Sequence, residues 1–370
     1  MTEAWGIVVA TRVVFFGIAL AGASLLRPDA LNRPSFLSMW ARWDALHYLD
    51  IARHGYVGHG VDPNQTAFFP LFPLLIRAVS FVGIDAVAAG LVITAAASLV
   101  AAAYLYLLAS WDRTENAGRL AVLYLFTFPT AVFLIAPYTE AVFLAGAVAA
   151  FYYARRSRWT VAALAAAIAV ATRVFGIFLL VGLAVEYARQ GKTPRHGVLR
   201  GALAMAVAIA PLIAYICYLA VVKHDPFDFV HAQARGWHRS FTSPVSAITS
   251  TWRVFWEGRL AGLPVSAGPR YVWFGELAAA LVGSASTIWA LRRREWGYAA
   301  YMGTAMAVII MSGPTLLSVP RMLLSLFPIP ILLSHWSEDR PLRAYAILLV
   351  VFPIATLGVL IYALGTAWFY

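Results

Sequence analysis

Apolar runs of about 15 to 27 residues follow one another along almost the whole chain, and this pattern constrains the fold before any motif is considered. At 1.5 Å of rise per residue, about twenty such residues carry a helix through the hydrocarbon of a bilayer. Charged residues supply only 12% of the 370, about half the share of a soluble domain and too few to clothe a water-facing surface. The expectation is an all-α polytopic membrane protein in which residues 1–370 form one transmembrane domain. The formal charge of +11 sits mostly in short connections, where arginines orient spans and meet anionic head groups, so nucleic acid is not an expected partner. Cys217 is the single cysteine, which excludes an intrachain disulfide and any CxxC metal or redox motif.

The first run, Trp5 to Leu26, lacks a basic leader, and spans follow it throughout, so it reads as a retained helix. Further runs occupy Ala67 to Val82, Ala86 to Ala109, Leu120 to Ala136 and Thr139 to Ala154. Trp159 to Val185 exceeds one crossing and is interrupted by Thr172-Arg173; it is one long tilted helix or two half-helices meeting at that arginine. Val198 to Val222, Tyr271 to Leu291, Tyr298 to Val319, Met322 to Trp336 and Leu342 to Phe369 complete ten or eleven transmembrane or half-spanning helices. Two long polar stretches interrupt the series, 27–66 and 223–270.

Positive charge places Arg189–Arg195, Arg292-Arg293-Arg294 and Arg340/Arg343 in the cytoplasm, and therefore 223–270 outside. If 27–66 is also outside and each later run crosses once, Arg155-Arg156-Ser157-Arg158 falls on the wrong side. One element between Ala67 and Ala154 is then a half-span or hairpin. No GxGxxG, Walker A, HExxH or GxSxG pattern occurs, so neither a nucleotide-driven pump nor a soluble-type hydrolase has support.

Intramembrane charges face protein or a cavity. Arg12, Arg77, Asp85 and Glu276 read as snorkelling or structural groups. Arg173, before Gly176, and Arg321, after Pro320, each sit beside a helix disruptor, and broken helices in membranes line cavities. A guanidinium held there suits a phosphate oxygen. The densest polar segment is Trp40 to Tyr56. Read as a helix up to Gly55, it puts Trp40, Asp44 and His47 on one face, with Trp43, Leu46 and Asp50 beside them. It is either a structural juxtamembrane helix or one that holds a carboxylate as general base between an incoming hydroxyl and a lipid-phosphate leaving group. One acid suffices for inversion, whereas retention usually takes a second as nucleophile. Asp44, His47 and Asp50 could touch a divalent cation, although no cluster has metal-ligand spacing. Phe68-Phe69-Pro70-Leu71-Phe72-Pro73 could stack on a sugar or prenyl chain or pack the core. Tyr138-Thr139-Glu140 offers a polar contact or a helix cap. Phe227 to Arg239, with Gln233 and Trp237, fits a hydroxylated or anionic substrate as well as an interfacial helix.

These residues resemble the PIG-V family of mannosyltransferases, within the GT-C superfamily of multi-span glycosyltransferases. The points of likeness are Arg42-Trp43-Asp44 with His47, Ile51 and Gly55-Tyr56; Phe68 to Pro73; Pro137 to Glu140; Thr172-Arg173 with Gly176; Phe229 to Trp237; and Val319-Pro320-Arg321 with Leu326-Phe327-Pro328. The Trp-Asp and FFPLFP pair is the most specific. Eukaryotic members transfer mannose from dolichyl phosphate to a glycosylphosphatidylinositol precursor. Their functionally important Trp-Asp matches Trp43-Asp44, and the acid proposed as base in the first external loop of GT-C enzymes maps onto Asp44. The arginine and alanine content is that of a prokaryotic relative, for which the resemblance implies a polyprenyl-phosphate sugar donor and an envelope glycan, glycolipid or protein acceptor.

The expectation is therefore a GT-C-like inverting glycosyltransferase of the inner (plasma) membrane, with its site on the external or periplasmic face. It moves a hexose, mannose by the resemblance, with membrane lipids around it. Asp44 is the base; Arg42, Trp43, His47, Asp50, Tyr138, Glu140, Arg173, Gln233, Trp237 and Arg321 contact substrate, and Arg321 with Arg173 hold the leaving phosphate. The alternative is a transporter or flippase for an anionic solute or lipid-linked sugar, which an inverted repeat would favour; none is visible. The enzyme requires Asp44 and Arg321, 277 positions apart, to converge on one cavity.

Overall fold

Sixteen α-helices and two short 3-10 turns make up the regular structure in the computed structural model, which describes residues 1–27, 34–191, 196–258 and 270–365. Among these residues there is no strand. Residues 192–195 of the basic connection, and 28–33 and 259–269 of the two long polar stretches, lie outside the described residues.

The helices are α1 (Thr2–Leu26), α2 (Asp44–His54), α3 (Leu71–Ser80), α4 (Ala86–Ala109), α5 (Glu115–Phe126), α6 (Glu140–Arg155), α7 (Trp159–Thr172) and α8 (Phe175–Arg189). The second half contains α9 (His196–Val222), α10 (Asp228–Trp237), α11 (Pro244–Glu257), α12 (Arg270–Arg292), α13 (Trp296–Met311), α14 (Val319–Leu324), α15 (Pro328–Ser337) and α16 (Pro341–Leu364). Five of them, α1, α4, α9, α12 and α16, are long and apolar enough to cross a membrane. They expose many large apolar side chains, such as Leu203 on α9 and Leu349 on α16, as a protein solvated by hydrocarbon can. These are the features of a multi-pass membrane protein.

Five of the expected spans are short or broken, among them Tyr298 to Val319, where α13 ends at Met311. Ala67 to Val82 yields only the ten-residue α3, and α5 stops at Phe126, before Pro129. Of the two alternatives for Trp159 to Val185, the structure has the pair of half-helices: α7 ends where Arg173 turns extended, at φ −155° and ψ 150°. Gly176 is needed at this junction, because a Cβ there would lie 2.4 Å from the Cα of Val170. Met322 to Trp336 divides into α14 and α15.

Backbone groups freed by such breaks must be satisfied without water. Arg12 on α1 donates to the Leu134 carbonyl (2.7 Å) and to Ser98 Oγ (3.0 Å), and Thr94 Oγ1 donates to the Ile135 carbonyl (2.9 Å). Tyr301 does the same for the Ser325 carbonyl between α14 and α15, at 2.8 Å. The buried charge of Arg12 therefore has a structural use.

The centre of the bundle is α6, nearly every residue of which is buried between α4 and α7. Its Gly146 meets the backbone of Ala165 and Ala169 so closely that a Cβ would stand 2.7 Å from the Ala165 carbonyl oxygen, the small-residue contact by which helices approach in lipid. The N-terminus of α6 thus becomes a fixed buried platform, and it carries Glu140.

Candidate functional site

Local backbone geometry aims Asp44. The helix begins at Asp44 rather than Trp40, because Trp43 takes a left-handed φ of +49° and turns the chain. Trp40 lies in the preceding turn, fully buried and edge-on to Phe16 at 5.1 Å, so it does not share the face of Asp44 and His47. A left-handed bulky residue is strained. It is held by its surroundings: Tyr362 of α16 packs edge-on against Trp43 at 5.0 Å and donates to the Trp40 carbonyl at 3.1 Å, while Tyr138 donates to the Arg42 carbonyl at 3.2 Å.

Four charged side chains from distant parts of the chain meet there. Arg321, on the first turn of α14, donates through Nη1 to Asp44 Oδ2 and through Nε to Glu140 Oε1 at 2.7 Å. Arg173, at the α7–α8 junction, pairs with the same Glu140 oxygen. Glu140 is completely buried, and Asp44 and Arg321 nearly so. The Arg321 guanidinium also lies 4.8 Å from the ring centre of Phe133 and 4.7 Å from that of Tyr138, cation–π contacts that help offset its desolvation. Two carboxylates and two guanidiniums balance.

Asp44, Arg173 and Arg321 lie on the wall of a cavity of about 530 Å³. Tyr48, one turn after Asp44, joins them; burial pushes its phenol up to about 12, so it remains a hydrogen-bond donor at neutral pH. Gln233 and Trp237 of α10, with Phe68 and Phe69, form a second wall. Most of the rest is apolar, including Phe175 and Phe178 of α8, Val308 and Met311 of α13, Phe241 and Met322. Phe241 is 83% exposed and Val308 48%, so the apolar end opens at the rim of the bundle.

Two polar residues not singled out as site residues complete the surroundings. Arg239, just past the left-handed cap His238, lies on the cavity wall and donates to Ser312 Oγ at 2.9 Å and the Leu317 carbonyl at 3.2 Å. Glu276, fully buried on α12, accepts the backbone N–H of Ser318 (2.9 Å) and Val319 (2.8 Å). It caps α14, the helix that carries Arg321, at the left-handed Ser318. Arg239 was hidden in a segment whose basic groups read equally well as interfacial. Glu276 gave no signal beyond being a charge inside an apolar run, which alone could have marked it.

The other residues named from sequence divide into two groups. Tyr138 and Glu140 sit behind the wall, touching Arg321. Arg42, Trp43, His47 and Asp50 do not line this cavity. The His47 ring stacks on Phe68 at 4.8 Å and stands edge-on to Trp237 at 5.8 Å, but is not itself on the cavity wall. With Asp50 it lines a separate cleft of about 450 Å³ beside Arg53, Asp62 and Gln65. The Gln65 amide, donating to Asp50, and the His54 ring hold the Asp50 carboxyl below the usual carboxylate range. Asp44 faces one cavity and His47 and Asp50 the other, so these three do not converge on a common cation position. Among the described residues no group of three metal-ligating side chains does.

Comparison with curated proteins finds no match. The family model Mannosyltransferase (PIG-V) matches residues 28–223, a stretch that includes Asp44, the Phe68–Pro73 segment, Glu140 and Arg173. Because this match covers more than half of the 370 residues, the chain belongs to the PIG-V mannosyltransferase family.

Proposed function

We propose that the protein is an inverting membrane glycosyltransferase that moves a hexose, mannose by its family, from a polyprenyl-phosphate donor to a hydroxyl of an envelope glycan, glycolipid or protein on the external face. The observation that carries this reading is the two-ended cavity. A buried carboxylate and guanidiniums stand at one end, and the other end is apolar and open at the rim. A lipid-linked sugar has the same division between polar head and hydrocarbon tail.

In the reaction, an acceptor oxygen attacks the anomeric carbon from the face opposite the phosphate. The bond from that carbon to the phosphate oxygen breaks, and its electron pair leaves with the polyprenyl phosphate. The acceptor proton passes to the Asp44 carboxylate. Phosphate leaves as an anion and needs no proton, so one acid suffices. Arg321, braced by Glu140, fixes the Asp44 carboxylate beside the cavity, and this positioning carries much of the rate. Tyr48, Gln233 and Trp237 offer the hydrogen bonds and ring face by which a sugar is held.

The test is transfer by the purified protein, in lipid nanodiscs, from radiolabelled polyprenyl-phosphate mannose to mixed envelope lipids and glycans. Wild type should transfer label, and Asp44→Asn should lose about 10³-fold or more of the rate. Equal transfer by the two would remove Asp44 as base, and absence of wild-type transfer to any acceptor would overturn the enzyme reading.

A further inference from the structure

The cavity wall has a charge surplus at one place. Asp44 and Glu140 neutralise Arg321 and Arg173 by direct ion pairs, so those two guanidiniums have little charge left for a ligand. Among the described residues on this wall, Arg239 is the remaining charged group, and it makes no ion pair. Glu276, on α12, gives both its oxygens to the Ser318 and Val319 backbone. Arg239 is held through two donors, Nη1 to Ser312 Oγ and Nη2 to the Leu317 carbonyl, which fixes the guanidinium against the loop that enters α14. A cation with no direct ion pair, balanced only through space by Glu276, is costly at the side of a largely apolar cavity until an anion arrives.

Resting on the reading of this cavity as a lipid-phosphate site, we propose that Arg239, and not Arg321 or Arg173, is the residue that binds the phosphate of the lipid donor. A single guanidinium matches the single charge of a phosphodiester, and Nε remains as a donor beside the two nitrogens already engaged. The placement also fits the tail. Arg239 is two residues before Phe241 at the exposed apolar rim, so a phosphate held there leads its chain outward while the sugar points back toward Asp44. Burial lowers the Arg239 guanidinium to about 10, which leaves it cationic at neutral pH.

The test is binding of farnesyl phosphate to the full chain in nanodiscs, read by tryptophan fluorescence with Trp237 as the adjacent reporter, with farnesol and inorganic phosphate as separate arms. Farnesyl phosphate should saturate wild type and bind Arg239→Gln about tenfold or more weakly, with Arg239→Lys between them. Farnesol should bind both proteins alike. Inorganic phosphate binding as tightly as farnesyl phosphate would overturn the lipid part of the proposal. Equal farnesyl phosphate binding by wild type, Arg239→Lys and Arg239→Gln would overturn the role of Arg239. Thermal unfolding of each variant checks that it is folded, and the lysine variant keeps the test decisive if the glutamine variant is not. The binding assay needs no acceptor. Wild-type binding without transfer would overturn the enzyme reading and leave this proposal standing, whereas transfer with unchanged Arg239→Gln binding would do the reverse.

Discussion

A single carboxylate oxygen, Oε1 of Glu140, holds two arginines, one from the α7–α8 junction and one from α14, and through the second reaches Asp44. Its removal is therefore more than the loss of one contact. Glu140→Gln leaves Arg173 and Arg321 to share the charge of Asp44 in a buried cluster, and breaking a buried pair in this way costs about 3–5 kcal/mol. Equilibrium unfolding in mixed micelles should show a loss of that order, together with loss of transfer. Unchanged stability would mean that Glu140 does not bind the two arginines as described. At this scale the sequence was informative about residue types and silent about pairing. Arg321 and Arg173 were conspicuous as cations beside helix disruptors, but nothing in a linear chain shows that acids from α2 and α6 already neutralise them. Asp44 stood out by its Trp-Asp setting. The left-handed Trp43 that aims it did not, because a strained backbone is maintained by Tyr362 and Tyr138, remote in sequence. Asp50, on the neighbouring strip of the same helix, was expected to contact substrate beside Asp44 and faces a different cleft.

Helical elements were legible in proportion to their length. The runs at α1, α4, α9, α12 and α16 were each read from apolar length, which is the property that bilayer thickness imposes. The half-length elements were harder, since hydropathy reports that a segment avoids water and not whether it continues straight. Thr172-Arg173 marked one break because a charge interrupted the run. The break after Phe126 was missed because Pro129 lies among apolar residues, and its freed carbonyls are satisfied by Arg12 and Thr94 from other helices. These junctions make a prediction about glycine. At Gly176 a methyl group would overlap the Val170 backbone, so Gly176→Ala should force α7 and α8 apart, cost about 1–3 kcal/mol and displace Arg173. At Gly17 on α1 nothing lies within 4 Å of the corresponding position, and Gly17→Ala should be neutral or stabilise by about 0.5–1 kcal/mol through helix propensity. Thermal unfolding of the pair checks both signs. Equal shifts would show that the α7–α8 junction has room that the structure denies it.

For the whole molecule, the arrangement of polar and apolar walls matters more than any one group. The charged cluster lies where α2, α6 and α14 meet, and the apolar rim lies where α8 and α13 pack together. On the proposed reading, a donor whose head reaches Asp44 leads its tail along the wall that carries Phe178, Val308 and Phe241 toward the surrounding lipid. The passage can be narrowed without touching the head-group site. Val308 is half-exposed on α13, so Val308→Trp has lipid beside it to accommodate the larger ring and should leave the fold intact. It should lower kcat/KM for a long polyprenyl-phosphate donor about tenfold, mainly through KM, because the interaction lost is one made equally in ground and transition states. A donor carrying a short isoprenoid, whose tail ends before the constriction, should lose less than about twofold by the same reasoning. The comparison of the two chain lengths in one variant separates obstruction of the tail from general damage, which would lower both. If both donors are affected equally, the tail leaves the cavity by another route and the rim at Val308 is not its exit.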